Sequence, residues 1–171
     1  EHEAADQARA FLEAGGNFID TAAVYGNGDS EKVVGGLIGS LFKRNDVVIA
    51  TKAGITIQDG IRTVNTSRSA LLNELESSLK RLGTDYVDLW QVHTWDDVVP
   101  LEDTLSALDT AFQSGRARYV GISNYSGWQS ARAITKQEMV ATKAPIASTL
   151  FQFNRSAILN LKFPPATSTT C

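Results

Sequence analysis

The fold and the function are both indicated by one stretch of sequence, Gly16-Asn17-Phe18-Ile19-Asp20-Thr21-Ala22-Ala23-Val24-Tyr25-Gly26. Its apolar pair Phe18-Ile19 is followed by the carboxylate of Asp20, and Tyr25 comes five positions later, just before a glycine. This pattern predicts a short strand and then a loop. In parallel sheets and barrels, the carboxyl ends of the strands form the edge at which chemistry takes place. The stretch therefore predicts an acid and a phenol at a functional edge.

Two later apolar runs end in the same way. The first of them ends in Lys52 and the second ends in His93. If these runs are parallel neighbours of the Asp20 strand, their carboxyl ends meet at one edge of a sheet. Asp20, Tyr25, Lys52 and His93 are then expected to lie close together.

Helical and strand patterns alternate along the chain. Apolar residues at helical spacing predict helices at about residues 1–15, 29–42, 67–82, 100–115 and 126–142. Apolar runs predict strands at about residues 18–20, 47–52, 86–93, 118–124 and 147–153. The segment between them at 53–66 has no clear period, and we interpret it as a longer loop on the functional edge. Because parallel strands need helical crossovers, the alternation favours an α/β fold with about five parallel strands.

The second predicted helix follows a glycine-containing loop, Gly26-Asn27-Gly28. Asp29 or Ser30 is expected to cap this helix, and its apolar face is expected to extend from Val33 to Phe42. The loop resembles part of a phosphate-binding motif. However, the third glycine of a dinucleotide fingerprint would stand at position 31, which is a glutamate, so we do not predict a Rossmann site.

The composition is typical of an ordinary globular protein. The chain has 171 residues, 43% of them hydrophobic and 20% charged, with a net charge of −3, so we expect no nucleic-acid partner. No apolar run approaches the ~18 residues of a membrane span, and we expect no membrane partner. Cys171 is the only cysteine, which fits a reducing, cytoplasmic location. His2, His93 and Cys171 lack the spacing of zinc ligands, so no metal site is predicted.

From about residue 1 to residue 152, the chain resembles the aldo-keto reductase family. Each motif alone is weak, but together and in order they are specific. They are Phe18-Ile19-Asp20-Thr21-Ala22 with Tyr25-Gly26, Thr51-Lys52, Ser78-Leu79-Lys80-Arg81-Leu82-Gly83-Thr84-Asp85-Tyr86-Val87-Asp88-Leu89, Gln91-Val92-His93 and Gly121-Ile122-Ser123-Asn124.

The resemblance implies a (β/α)8 TIM barrel and an NADPH-linked oxidoreductase that interconverts aldehydes or ketones and alcohols. It assigns the family's catalytic set to Asp20, Tyr25, Lys52 and His93. It assigns the contacts to the nicotinamide carboxamide to Ser123, Asn124 and Gln152.

These residue types suit carbonyl reduction. The reaction needs a proton on oxygen, and a tyrosine with a pKa of about 10 is a poor donor at neutral pH. A neighbouring ammonium favours tyrosinate and lowers that pKa, which is a suitable role for Lys52, with Asp20 as its counter-charge. His93 can donate a hydrogen bond to the carbonyl oxygen of a small substrate. Trp95 is a candidate for an apolar wall of the substrate pocket.

The chain also departs from the family pattern. The family's first strand would precede residue 1, and its last two strand–helix units would follow Gln152, so we expect an incomplete barrel over 1–153 and an atypical tail over 154–171. The strands that hold Asp20 and Gln152 are then expected to be sheet edges, through which the chain could self-associate. Residues 157–163 are a candidate for a further helix or edge strand. NADPH affinity is expected to be poor, because the phosphate sites lie in the absent units.

Other interpretations remain open at this stage. Asp20 alone could cap a loop, Tyr25 could be a packing residue, and Lys52 could be a solvated strand end. The chain could instead be a catalytically silent binding or regulatory subunit, as the family's potassium-channel β subunits resemble reductases. A third alternative is an unrelated barrel isomerase or lyase that uses Lys52 to form a Schiff base.

Overall fold

The computed structural model describes residues 2–140, 146–148 and 158–160. The helices are α1 (His2–Glu13), α2 (Asp29–Leu37), α3 (Arg68–Leu82), α4 (Leu101–Gln113) and α5 (Gly127–Val140). The strands are β1 (Phe18–Asp20), β2 (Val48–Ala53), β3 (Ile55–Gln58), β4 (Ile61–Val64), β5 (Val87–Val92), β6 (Ala117–Ile122), β7 (Ile146–Ser148) and β8 (Ile158–Asn160). Two short 3₁₀ helices, Tyr25–Gly28 and Arg44–Asp46, complete the regular elements of the described residues.

One six-stranded sheet, in the order β7-β6-β5-β2-β1-β8, organises the described part of the chain. Every neighbouring pair in it is parallel. The helices α2 to α5 alternate with its strands, as parallel connections require. The predicted fold class is therefore confirmed: this is part of a (β/α)8 barrel. Four of the five predicted parallel strands are present as β1, β2, β5 and β6, and β7 is the described start of the fifth, which was predicted over 147–153.

The sixth strand corrects one expectation. β8 pairs in parallel with β1, with Phe18 opposite Ile158 and Asp20 opposite Asn160. The prediction that the Asp20 strand forms an open edge is therefore wrong. β8 lies within residues 157–163, the segment predicted as a possible edge strand, and it is an edge of the described sheet. It falls inside the segment 154–171 that the sequence indicated as a tail.

The core forms where the helices cover the sheet. On α3, Leu71, Leu75, Leu79 and Leu82 are buried, and Gly83 ends the helix in a left-handed conformation with a φ of 63°. The largest side chain with no exposed surface is that of Trp90 on β5. Burial of such aliphatic and aromatic side chains contributes about 1.5–3 kcal/mol each, and it fixes the sheet beneath the functional edge.

The segment 53–66 is not an irregular loop as predicted. β3 and β4 form an antiparallel hairpin, with Ile55 opposite Val64 and Gln58 opposite Ile61. Asp59 and Gly60 connect them with φ values of 52° and 76°. Two consecutive residues with positive φ are typical of the two-residue turn that matches the twist of a hairpin.

The second helix is shorter than predicted, and its cap lies elsewhere. Gly28 is the N-cap residue with a φ of 94°, and neither Asp29 nor Ser30 occupies that position. The helix ends at Leu37, because Ile38 is extended and Gly39 turns the chain with a φ of 84°. The expected apolar face therefore does not continue to Phe42 as one helix.

Candidate active site

The sheet register brings the predicted residues to one edge. Asp20 is the last residue of β1, and Lys52 is next to the last on β2. His93 follows β5 directly, and its backbone N–H donates to the carbonyl oxygen of Ala53 over 2.8 Å. Ser123 follows β6 and continues the same hydrogen-bond ladder. The carboxyl ends of four adjacent strands thus present Asp20, Lys52, His93 and Ser123 together.

Lys52 and Asp20 form a short, shielded ion pair. The Lys52 Nζ atom donates to both carboxylate oxygens of Asp20 over 2.7 Å, and to the backbone oxygen of Thr21 over 2.9 Å. The two side chains are only 7% and 16% exposed. Removing an ammonium or a carboxylate from water costs free energy, and here the opposite charge of the partner offsets that cost for each group. The interpretation of Lys52 as a solvated strand end is therefore wrong.

Tyr25 lies between the lysine and the histidine. The Lys52 Nζ atom is 5.4 Å from the centroid of the Tyr25 ring. The Tyr25 and His93 rings meet edge to face, with centroids 5.7 Å apart and an interplanar angle of 78°. Tyr25 is half-buried and begins the short 3₁₀ helix that precedes α2. The structure therefore brings all four residues of the predicted set together.

Ser123 and Asn124 lie beside His93 at the end of β6. The Asn124 Nδ2 atom donates to the backbone oxygen of His93 over 2.8 Å and to the Ser123 hydroxyl over 3.2 Å. Asn124 has a φ of 57°, a left-handed conformation that asparagine tolerates better than most residues. Gln152, the third predicted cofactor contact, lies outside the described residues.

Trp95 lines a cleft with a volume of about 340 Å³ between the loop after β5 and the start of α5. Its ring makes edge contacts with Tyr125 at 5.2 Å and with Trp128 at 5.5 Å, and its Nε1 atom donates to Asp97. Burial, together with the nearby negative charge of Asp96, raises the pKa of Tyr125 far above its ordinary value. Neither Tyr125 nor Trp128 was singled out from the sequence.

A polar network behind the ion pair was also missed. Thr21 and Thr51, which adjoin Asp20 and Lys52 in the chain, hydrogen-bond to two consecutive residues of α2. The Thr21 and Ser30 hydroxyls are 2.7 Å apart, and the Thr51 hydroxyl donates to Glu31 over 2.5 Å. No local signal indicated this role, because Glu31 stands between Ser30 and Lys32 in a polar first turn of α2.

Glu74 of α3 borders this network. Its Oε2 atom accepts a hydrogen bond from the backbone N–H of Gly54 over 2.8 Å. Burial raises its pKa above the ordinary value, against the lowering effects of the Gly54 bond and of the Arg81 charge, while the Glu31 charge raises it further. Burial is therefore the main influence on the pKa of this carboxyl.

The described residues contain neither a metal-binding cluster nor a membrane-spanning helix. Within residues 2–140, 146–148 and 158–160, no group of three His, Cys, Asp or Glu side chains could hold a metal ion. In the same ranges, none of the helices is both long and apolar enough to cross a membrane.

Two curated relatives are similar to this chain in sequence. The aldo-keto reductase YhdN of Bacillus subtilis is 42% identical over 118 residues, covering 69% of this chain and 36% of that protein. The L-glyceraldehyde 3-phosphate reductase of Escherichia coli K12 is 42% identical over 122 residues, covering 69% of this chain and 35% of that protein. The chain thus spans about a third of the length of these curated relatives.

The fold of the chain is also similar to that of a solved structure. The thermostable aldo-keto reductase Tm1743, solved with the inhibitor epalrestat, superposes with a TM-score of 0.71 at 35% identity, covering 85% of this chain and 48% of that one. The model of the aldo/keto reductase family matches residues 1–157. The chain therefore belongs to the aldo/keto reductase family.

Proposed function

We propose that this chain carries the proton-delivering half of an NADPH-linked carbonyl reductase, which interconverts small aldehydes or ketones and alcohols. The observation that carries the proposal is the shielded Lys52–Asp20 pair, whose ammonium lies 5.4 Å from the Tyr25 ring centroid. A cation held beside a phenol, next to an imidazole, is the arrangement expected of a general acid.

Each of the four residues then has one role. Tyr25 donates the proton to the substrate oxygen. Lys52 favours the tyrosinate form through its positive charge, which lowers the free energy needed for proton transfer. Asp20 keeps Lys52 protonated and fixed in place. His93, in edge contact with the Tyr25 ring, donates a hydrogen bond to the carbonyl oxygen and orients the substrate.

The residues near His93 fit a nicotinamide. Its carboxamide offers one acceptor and two N–H donors. The Ser123 hydroxyl can donate to it, and the Asn124 side-chain oxygen can accept from it because the Asn124 amide nitrogen already points to the His93 backbone. We infer that Gln152 is the third contact. When bound, the nicotinamide supplies the hydride, and the chain's own residues supply position and the proton.

The substrate is proposed to be a small carbonyl compound. One relative is named for reduction of L-glyceraldehyde 3-phosphate, which supports an aldehyde of a few carbons. Trp95, with its aromatic neighbours, is proposed as an apolar wall of the pocket. We also propose that residues 1–153 form a partial reductase barrel followed by a C-terminal tail over 154–171, in which β8 lies, and that the protein acts in the cytoplasm.

Two rival functions are less well supported. A Schiff-base lyase needs a neutral lysine amine, whereas Lys52 is bound by both oxygens of a carboxylate that stabilises the charged form. A catalytically silent regulatory subunit has no need of the paired lysine and aspartate beside a phenol. It would bind NADPH without turning it over.

The test is NADPH oxidation in the presence of a short aldehyde, alongside NADPH binding measured by calorimetry. Both are measured on this chain and on a version extended at both ends, because the NADPH affinity of this chain alone is expected to be poor. We expect Tyr25→Phe to lower kcat by about 10²–10⁴-fold, the usual contribution of general acid catalysis, and to keep cofactor binding. A Tyr25→Phe variant with unchanged turnover would exclude Tyr25 as the acid. Binding of NADPH with no oxidation by the unaltered chain would favour the silent subunit.

A further inference from the structure

The first turn of α2 is connected to both sides of the Lys52–Asp20 pair. Ser30 pairs with the hydroxyl of Thr21, whose backbone oxygen accepts from Lys52 Nζ. Glu31 accepts from the hydroxyl of Thr51, the residue that precedes Lys52 on β2. Ser30, Glu31, Thr21 and Thr51 have no exposed surface. Two consecutive residues of one helix therefore hold the chain neighbours of both charged groups.

Glu31 is held in turn by α3. The Arg81 Nε atom donates to Glu31 Oε2 over 2.7 Å, and an Nη atom of the same guanidinium lies equally near. The Arg81 side chain also runs beneath Gly28, where an added Cβ would lie 2.7 Å from Arg81 Cδ. Gly28 ends the 3₁₀ helix that begins at Tyr25. Arg81 thus supports the turn that carries the phenol and the glutamate that holds β2.

A carboxylate with no exposed surface is costly unless it is fully paired. Here its hydrogen bonds extend in two directions, to Thr51 beside Lys52 and to Arg81 beneath the Tyr25 turn. The Glu31–Arg81 pair therefore connects the strand that carries Lys52 to the turn that carries Tyr25. The separation between the Lys52 ammonium and the Tyr25 phenol governs how strongly the charge acts on the phenol. Coulomb interactions in a poorly solvated site change steeply with such a separation.

We propose that Glu31, held by Arg81, is a positioning residue that fixes the separation between Lys52 and Tyr25 for the reduction proposed above. The inference rests on that proposed function, because it assigns Glu31 a role only through Tyr25 as the acid. It gives a physical role to the arginine of the motif at residues 78–89, which the proposed chemistry itself leaves unused.

The test measures the tyrosinate absorbance of Tyr25 as a function of pH, taken as the difference between each variant and the same variant carrying Tyr25→Phe. The subtraction removes the signals of the other three tyrosines, Tyr86, Tyr119 and Tyr125. Two variants break the connection without changing the net charge. Thr51→Val replaces a hydroxyl with a methyl group, and the double variant Glu31→Gln with Arg81→Met removes one charge of each sign.

A matched control lies at the amino ends of the strands, on the other side of the sheet from the candidate active site. Arg44 and Asp88 form a similarly shielded ion pair, with side chains 13% and 10% exposed and a 2.7 Å contact, near the amino end of β5. The double variant Asp88→Asn with Arg44→Met breaks it. Urea unfolding of both double variants shows whether they lose comparable stability. A merely structural role of Glu31 predicts that the two double variants behave alike in the titration.

We expect the Glu31/Arg81 variant to raise the Tyr25 midpoint by about one pH unit, Thr51→Val to raise it by about half a unit, and the Arg44/Asp88 control to leave it unchanged. Lys52→Met is the reference variant that distinguishes failure of the positioning role of Glu31 from failure of Tyr25 as the acid. Midpoints that rise with Lys52→Met and stay fixed in both Glu31-network variants would overturn the positioning role alone. A midpoint that is unmoved by Lys52→Met would overturn the proposed function and the inference with it.

Discussion

Lys52 is the residue on which the site depends. Its ammonium group is bound by both oxygens of Asp20 and by a backbone oxygen, in surroundings that leave the side chain 7% exposed. Removing either partner would leave the other charge without compensation, which typically costs 3–5 kcal/mol for a buried pair, about the upper range for single substitutions. Removing either charge of the pair therefore alters the electrostatics of the proposed acid and destabilises the fold at the same time.

Glu74 provides a pH-dependent test at the residue scale. Burial raises its pKa, so its contribution to stability is present below its ordinary pKa of about 4.5 and is lost as the pH rises through the folded value. We therefore expect Glu74→Gln to stabilise the chain at about pH 7 relative to about pH 4, as measured by urea unfolding. Because Glu74 is only half-buried, the gain should stay below about 1 kcal/mol.

Glu76, two positions further on α3, is the control for this prediction. It is exposed, and its pKa is lowered by a side-chain hydrogen bond from Lys80 and by the Lys80 charge. Its contribution is present above its ordinary pKa and is lost as the pH falls, so Glu76→Gln should have the opposite sign. If both glutamine variants respond to pH in the same direction, the burial of Glu74 is not what raises its pKa.

At the residue scale, the sequence was informative where a polar side chain ends an apolar strand. Asp20, Lys52 and His93 were predictable on that basis, because parallel strands align their carboxyl ends. Thr51 and Arg81 were not, since their roles depend on how α2 and α3 pack against β2. Such contacts join residues 20 and 50 positions away from Glu31, and no local pattern encodes them.

At the scale of elements, the turn before α2 is the most constrained connection near the site. Gly28 combines a φ of 94° with close contact to Arg81. We expect Gly28→Ala to cost about 1–2 kcal/mol for the backbone conformation and about 1–3 kcal/mol more for the clash. Urea unfolding measures the sum of the two.

Gly15 separates the two effects. It has a φ of 83°, and no atom lies within 4 Å of where its Cβ would be. Gly15→Ala should therefore carry the conformational cost alone. Equal losses for the two alanine variants would mean that the Arg81 side chain moves aside freely and does not support the turn.

The β3–β4 hairpin shows how an element can be missed. Alternating residues flank Asp59-Gly60, and Asp-Gly between two such runs is a strong hairpin signal. No single period extends across residues 53–66, because the segment consists of two short strands with a turn between them. The helical elements were easier to predict, because the leucines of α3 recur over about three turns and the helix ends at a glycine. The end of α2 could be anticipated only from Gly39, which turns the chain.

At the scale of the whole molecule, the described sheet has two edges, β7 and β8. Edge strands present unpaired backbone groups that can pair with another chain. The Tyr119 ring on β6 is also 59% exposed, which is unusual for an aromatic residue in an interior strand of a sheet. From these features we propose that the chain self-associates.

We expect sedimentation velocity to show dimers or larger species whose proportion rises with protein concentration. A lysine introduced at Tyr119 should shift the distribution towards the monomer, because a charge is poorly tolerated in an apolar contact. The equally exposed Trp128, on α5, offers a control position for the same substitution. A monomer at every concentration would refute self-association.

The order of strands was predictable from the alternation of elements, since right-handed crossovers leave few arrangements of successive parallel strands. The pairing of β8 with β1 was less so. A strand of three residues at Ile158–Asn160 has too little sequence to show a period, and its partner lies about 140 positions earlier in the chain. This pairing depends on the unpaired backbone groups that β1 presents once the sheet has formed, and those are a property of the folded chain.

The most direct test of the central claim is the titration of Tyr25 in the unaltered chain and in Lys52→Met. If the Lys52 ammonium acts on this phenol, tyrosinate should form with a midpoint below the ordinary value of about 10, and Lys52→Met should raise that midpoint by about one unit or more. The measurement needs neither cofactor nor substrate. A Tyr25 midpoint at or above about 10 that is the same in both proteins would contradict the account.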